Sequence, residues 1–149
     1  MKKRKRLLVI AVVTAVFAVG LGNHPLVMLP MVAGVLLPDL DAVREKTHRS
    51  WVLHTFLLPA IAYQFLLRFR VLESFPSIGV GLNFLTLGMA LHFGYDYVYP
   101  KEQTNQGAAW PVRPVGPSAP WGLLWLGTSW ILQWYFYLSP VFLPWLVGY

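Results

Sequence analysis

Side chains of the kinds that bind metals occur in three short clusters, each at or near the end of an apolar segment. Together the clusters include three of the four histidines and three of the six acidic residues of the chain. Their members are Asp39 and Asp41, His48 and His54, and His92 and Asp96. Ionisable groups at membrane depth cost a few kcal/mol each unless they are paired, hydrated or bound to a metal. The concentration of these groups predicts one metal-dependent site.

The third cluster has the spacing of a helical ligand pair. Residues four apart, such as His92 and Asp96, share one face of a helix and lie about 6 Å apart along its axis. A neutral imidazole and a carboxylate placed in this way could bind one divalent ion, or the carboxylate could orient the imidazole. An intrahelical hydrogen bond is the alternative that this spacing leaves open.

The first cluster follows Pro38 at the end of an apolar run. In an extended chain, residues i and i+2 point to the same side. Two carboxylates so placed repel each other unless they share a cation. We therefore expect an extended segment that presents Asp39 and Asp41 to one ion or to its water. A solvated turn or a helix N-cap is the alternative.

The middle cluster cannot bind one ion from a straight helix. His48 and His54 would lie about 120° apart around the axis and about 9 Å apart along it. They require a bend or two metals, and we expect His48 in a loop and His54 on the first turns of the next helix. Arg49 is a candidate clamp for a phosphate or carboxylate oxygen. His24 lies in a turn at the other membrane face and is expected to have no role in the site.

The composition places the chain in the membrane class. It is 56% hydrophobic and 12% charged, with a mean hydropathy of +0.53, whereas a soluble domain has about 25% charged residues. The length fits one integral membrane domain, residues 1–149. There is no cysteine, so a metal must be held by nitrogen and oxygen ligands. Zn²⁺ or a similar divalent ion fits such a set.

The apolar segments predict an all-α fold, a polytopic transmembrane bundle of about four to five spans. These segments are residues 7–22, 26–37, 51–67, 76–99 and 121–147. A turn around residues 23–25 separates the first two segments, and residues 100–120 form a polar loop. The segment 76–99 is predicted to pack closely on a neighbour, because it is rich in small residues. They are Gly79, Gly81, Gly88, Ala90 and Gly94.

The distribution of basic residues predicts the orientation in the membrane. Five crossings put the N-terminus, residues 39–50 and residues 100–120 on one side, with ten basic residues against two on the other. The positive-inside rule makes the side with ten cytoplasmic, and the three ligand clusters share that face. The basic tail, residues 1–6, favours anionic lipid headgroups. We expect membrane lipids as partners, no nucleic acid, and a bacterial or archaeal cytoplasmic membrane as the location.

The order of these motifs resembles the YdjM-type family of membrane-bound, metal-dependent hydrolases. The resemblance covers roughly residues 26–111 and rests on LPDLD, a THR-x4-HT segment, H-x-x-x-D and Trp110–Pro111. It implies an inner-membrane hydrolase with a divalent metal, and it carries the site to the six residues of the three clusters. A looser similarity to the all-helical zinc phospholipase C class implies a phosphoester substrate.

We therefore expect a metal-dependent hydrolase that acts at the cytoplasmic face on a lipid or lipid-linked phosphoester. The expected ligands are Asp39, His54, His92 and Asp96, with His48 as a further one. Asp41 is expected to be the general base or a second-metal ligand, and Arg49 an oxyanion clamp. The alternative is a non-catalytic protein in which the same residues form a structural metal site, an ion path or a polar packing network. A catalytic site keeps an open coordination position, whereas a structural site is closed.

Overall fold

The structure is a computed structural model that describes residues 2–43, 53–98 and 119–148. In these ranges the chain is all-helical without a strand, which confirms the predicted fold class. The α-helices are α1 (Lys2–Gly20), α2 (Met28–Leu36), α3 (Leu57–Arg68), α4 (Val71–Ser74), α5 (Pro76–Val98), α6 (Ala119–Gln133) and α7 (Leu143–Val147). Two 3-10 segments, Pro25–Val27 and Leu37–Val43, flank α2, and a π-helical segment, Trp134–Phe142, joins α6 to α7.

Helix α1 ends where a glycine permits a left-handed turn. Gly22 has a φ of +96°, which costs a glycine little. The Asn23 N–H donates to the Ala18 carbonyl and the Gly22 N–H donates to the Val19 carbonyl, which is the Schellman pattern of helix termination. The His24 side chain then caps the 3-10 segment that follows. The predicted turn between the first two apolar segments is confirmed.

Helices α2 and α5 cross with their backbones in contact at two glycines. A Cβ atom on Gly34 would overlap the Leu85 carbonyl oxygen, and a Cβ atom on Gly88 would overlap the Met31 carbonyl oxygen. Only a hydrogen atom fits at either position. The predicted close packing of the segment 76–99 is confirmed at Gly88, whereas no atom would lie within 4 Å of a Cβ on Gly94.

Helix α1 turns its small residues inward and its large apolar residues outward. Ala11 and Ala15 are completely buried, whereas Val13 and Phe17 are more than half exposed. Near the basic end of the helix, Leu7 packs in a cluster with the C-terminal ends of α2 and α5. The basic run that precedes Leu7 therefore lies at the end of the bundle where these two helices finish.

The last helical stretch is continuous over residues 119–147, but its hydrogen-bond register widens in the π-helical segment. Gln64 of α3 donates its Nε2 hydrogen to the Phe136 carbonyl oxygen in this segment at 2.7 Å. The segment also contains Pro140, which has no N–H to donate. The side-chain hydrogen bond from Gln64 links α3 to the π-helical segment.

A buried polar network joins the π-helical segment to α5. The Tyr137 hydroxyl donates to Asn83 Oδ1 at 2.9 Å and lies 2.8 Å from Thr86 Oγ1. All three side chains are buried, so each needs these partners to offset its desolvation. The network fixes the π-helical segment against the middle of α5.

One helix of the described residues is long and apolar enough to cross a membrane, and it is α5. Residues Pro25–Leu40 and Leu57–Arg68 are shorter apolar helices, and α1 begins with the basic run. The count of about four to five spans therefore stays a prediction.

Gly34→Ala should destabilise the bundle by about 1–3 kcal/mol, because its methyl group would force the α2 and α5 backbones apart. The free energy of unfolding in detergent measures this change. Gly20→Ala is the matched control, since no atom would lie within 4 Å of its Cβ. A Gly34→Ala variant as stable as the wild type would contradict the close crossing.

Candidate metal centre

Four of the six predicted ligand residues meet at one end of the bundle. His92 and Asp96 come from α5, Asp39 from the 3-10 segment after α2, and His54 from the turn before α3. The exposed fractions of His54, His92 and Asp96 are 2%, 0% and 7%, while the Asp39 side chain is 14% exposed. Three of the four residues are therefore buried, and Asp39 is the most accessible member of the cluster.

The His92 ring is oriented by the backbone of α2. Its Nδ1 atom lies 2.8 Å from the Val35 carbonyl oxygen. A carbonyl can only accept, so Nδ1 carries the proton and donates it to Val35. In the neutral ring, Nε2 then has a free lone pair. This is the arrangement found in most metal-binding histidines, in which the second ring nitrogen donates to a carbonyl or a carboxylate.

The His92 lone pair faces negative oxygen atoms. Nε2 lies 3.4 Å from Asp96 Oδ2 and 3.9 Å from Asp39 Oδ1, and it is buried without a hydrogen-bond partner among the described residues. A lone pair and a carboxylate repel each other unless a cation lies between them. A proton on Nε2 or a bound cation would relieve this repulsion, and the clustered residues could hold a metal ion.

The spacing of the ligand atoms fits one small divalent ion. Two ligands about 2.1 Å from a tetrahedral Zn²⁺ are separated by about 3.4 Å, which is the distance between His92 Nε2 and Asp96 Oδ2. One ligand atom from each of His54, His92 and Asp96 can be chosen so that all lie within 4.8 Å of one another. These three residues could hold a metal ion with two nitrogen ligands and one oxygen ligand. The predicted helical pairing of His92 with Asp96 on one face is confirmed.

His54 lies in the turn before α3, so its predicted place on the first turns of the helix is wrong. Helix α3 begins only at Leu57. An earlier start would require Pro59 to donate an N–H to the Thr55 carbonyl, and proline has none. The Thr55 side chain instead accepts from the Leu57 N–H at 3.3 Å.

The turn before α3 places the His54 ring next to the rings of His92 and Phe93. The His54 ring packs edge-on to the His92 ring with the centroids 5.8 Å apart, and against Phe93 at 5.9 Å. The bend or second metal that the spacing of His48 and His54 requires stays a prediction, because His48 lies outside the described residues.

The expected extended conformation of the LPDLD segment is wrong. Residues Leu37–Val43 form a 3-10 helix, in which three residues complete one turn. Residues two apart in a 3-10 helix lie about 120° apart around the axis, so the segment lacks the i, i+2 alternation of an extended chain. Asp39 reaches the cluster, and the side chain of Asp41 lies outside what the structure describes. His48 and Arg49 also lie outside the described residues.

The Val35 carbonyl is the site contact that sequence reasoning missed. The residue type does not indicate which backbone carbonyl accepts a hydrogen bond, and Val35 is one apolar residue within an apolar segment. The adjacent Gly34 was the available signal, because a glycine inside a helix often marks a close approach of another backbone. Its partner glycine on α5 was recognised, but Gly34 was not.

Over the described residues, the chain is all-helical, with one helix able to cross a membrane and a buried His/Asp group able to hold a metal ion. Comparisons with protein-family models, with curated proteins and with solved structures each give no match to this chain.

Purified protein should contain a divalent metal at close to one ion per chain, as measured by elemental analysis. A double variant, His92→Ala with Asp96→Ala, should lose the ion while remaining in the membrane fraction, because two of the three clustered ligands are removed. His24→Ala is the matched control, since that histidine caps a 3-10 segment and should leave the metal content unchanged. Equal metal content in the double variant and the wild type would contradict this ligand assignment.

Proposed function

We propose that this protein is a membrane-embedded, metal-dependent hydrolase whose site faces the cytoplasm. The observation that carries the proposal is the buried His92 Nε2 lone pair, which faces two carboxylates and is oriented by the Val35 carbonyl. A metal ion would relieve the repulsion between this lone pair and the carboxylates, and the histidine and carboxylate donors suit Zn²⁺ and similar ions. The resemblance to the YdjM-type hydrolases points to the same residues.

The apolar exterior of the bundle supports membrane insertion. Large apolar side chains are exposed along α1, α3 and α6, including Phe17, Phe65 and Ile131, each at least 60% exposed. A soluble monomer rarely exposes apolar surface of this extent. Lipid would cover these side chains, while the alanine face of α1 permits close packing inside the bundle. We propose that α1, α2 with its 3-10 flanks, α3 and the stretch 119–147 cross together with α5.

The position of the basic run supports a cytoplasmic site. Leu7 directly follows the run and packs with Val35 and Tyr95. Val35 supplies the carbonyl that orients His92, and Tyr95 adjoins Asp96. The basic tail and the metal cluster therefore share one end of the bundle, and basic residues beside membrane spans favour the cytoplasm. Anionic lipid headgroups are the proposed partners of the tail.

The three clustered ligands among the described residues, His54, His92 and Asp96, are consistent with catalysis. Zinc enzymes commonly use three protein ligands and leave the fourth position for water or substrate, whereas structural sites use four. A bound ion would lower the pKa of water and polarise a phosphoryl oxygen. Asp39 lies on the more exposed side, where it would complete the ligand set or contact substrate. Asp41 is proposed as the general base and Arg49 as the oxyanion clamp.

The proposed substrate is a lipid or lipid-linked phosphoester. A site at the cytoplasmic end of membrane helices would meet headgroups without extracting the lipid. The looser similarity to zinc phospholipases C points to the same bond type. Both arguments concern location and chemistry, and neither specifies the headgroup.

A non-catalytic role is the second candidate, and a specific observation favours it. The Tyr137, Thr86 and Asn83 network shows that this bundle uses buried polar side chains for helix packing. The His/Asp cluster could serve the same purpose as a closed structural metal site or an ion path. The two candidates differ in whether the ion has a position open to water and substrate.

Single cysteines at Ser74 and Val98 should be labelled from opposite sides of the membrane, Val98 from the cytoplasm. The two positions flank α5 and are exposed, and the chain has no cysteine of its own. A membrane-impermeant maleimide applied to sealed vesicles of known orientation measures the accessibility. A cysteine at the fully buried Met89 is the unreactive control. Labelling of both flanking positions from one side would refute the crossing.

Asp41→Asn should reduce turnover by roughly 10²–10⁴-fold, the usual worth of a positioned general base, while the metal is retained. Asp39→Asn should instead weaken metal binding, because a neutral oxygen replaces an anionic one next to the ion. Hydrolysis of a panel of phospholipids and lipid-linked phosphates in nanodiscs, together with metal content, measures both effects.

The outcomes separate the two candidate functions. Metal binding without any turnover by the wild type across the panel would favour the non-catalytic role. Turnover that survives in both variants with full metal content would show that residues 37–43 only connect the helices.

A further inference from the structure

Near its C-terminal end, the backbone of α2 is in contact with α5. The crossing at Gly34 and Gly88 brings the two backbones into contact, and the next residue along α2 is Val35. Its carbonyl accepts the His92 Nδ1 hydrogen, and His92 lies one helical turn beyond Gly88 on α5. The histidine is therefore oriented at the point where the two helices are forced closest together.

The proline that follows keeps this carbonyl available. Carbonyl groups in the last turn of an α-helix lack their usual partners. In the 3-10 segment that continues α2, the N–H that would bond to Val35 belongs to Pro38, three residues further on. Proline has no N–H. The sequence thus removes one competing donor at the oxygen that orients His92.

We propose that the Gly34–Gly88 crossing is a positioning contact for His92: it fixes the Nδ1–H tautomer through the Val35 carbonyl and so makes Nε2 the metal-binding atom. This inference rests on the proposed metal site for its purpose, but the tautomer itself exists without a metal. Without the contact, the proton could reside on Nε2, and the ring would present a donor where the ion needs a lone pair. Gly88 is then a positioning residue that acts through α2 and contacts neither ion nor substrate.

The tautomer can be measured directly by NMR of ¹⁵N-histidine-labelled, metal-free protein at alkaline pH, where imidazole rings are neutral. A protonated ring nitrogen resonates far upfield of an unprotonated one, and His92→Asn assigns the signals. We expect Nδ1 of His92 to be protonated and Nε2 to be unprotonated. A proton on Nε2 in the wild type would overturn the inference whatever the protein does with metals.

The glycine contact is tested by Gly88→Ala, whose methyl group must displace the Met31 backbone. We expect His92 to become a mixture of tautomers and the metal affinity to fall by roughly 10–100-fold, the usual effect of losing a partner that orients a ligand. Gly94→Ala on the same helix, where a Cβ meets no atom within 4 Å, should change neither quantity. If Gly88→Ala does not fold, the wild-type tautomer still decides the question.

Failure of this inference and failure of the proposed function give different results. A wild type that binds no metal but shows the expected tautomer would refute the metal centre and leave the positioning contact intact. A folded Gly88→Ala variant with the wild-type tautomer and affinity would refute the positioning contact and leave the metal centre intact.

Discussion

The contact between the α2 and α5 backbones is the constraint on which the rest of the structure depends. It requires hydrogen in place of a side chain at Gly34 and at Gly88. In the proposed membrane setting there is little hydrophobic driving force between helices, so close van der Waals packing of small residues would have to supply the attraction. Because the helices approach so closely, the end of α2 comes within hydrogen-bond distance of His92, and Asp39 comes within 3.9 Å of the same ring.

The same contact concentrates charge where solvation is poor. Two carboxylates and two imidazoles lie at one end of the bundle, and the side chains of His54 and His92 are almost entirely buried. Buried like charges and facing lone pairs are unfavourable unless a cation compensates them. The close helix packing therefore brings together groups that repel each other, and the proposed metal ion would reduce that repulsion. Packing and metal binding would in this way stabilise the same end of the protein.

Sequence reasoning predicted those parts of the structure that depend on local spacing. The i, i+4 geometry of His92 and Asp96 follows from helix periodicity alone, and the turn around His24 follows from Asn23, His24 and Pro25, which interrupt the apolar sequence. It failed where proline and tertiary contacts decide the conformation. Pro59 delays the start of α3 and leaves His54 in a turn, and the segment after Pro38 is a 3-10 helix instead of an extended strand.

The candidate site was only partly accessible to the same reasoning. Four of its ligand residues were named from their types and spacing, because ionisable groups in an apolar chain are conspicuous. The orientation of His92 could not be found in that way, since it depends on a backbone oxygen of another helix. The number of membrane crossings and the catalytic roles of Asp41 and Arg49 stay predictions.

In the π-helical segment between α6 and α7, the number of residues is more constrained than the identity of each residue. A π turn accommodates one more residue than an α turn, so the orientation of α7 relative to the segment depends on the number of residues between them. The loss of one residue between Tyr137 and Trp145 without a change of register would rotate the two positions relative to each other by roughly 80°. Tyr137 could not keep its bonds to α5 while Trp145 kept its ring contact with Phe84. Among descendants of this chain, substitutions at the exposed positions of the segment should therefore be far more common than insertions or deletions.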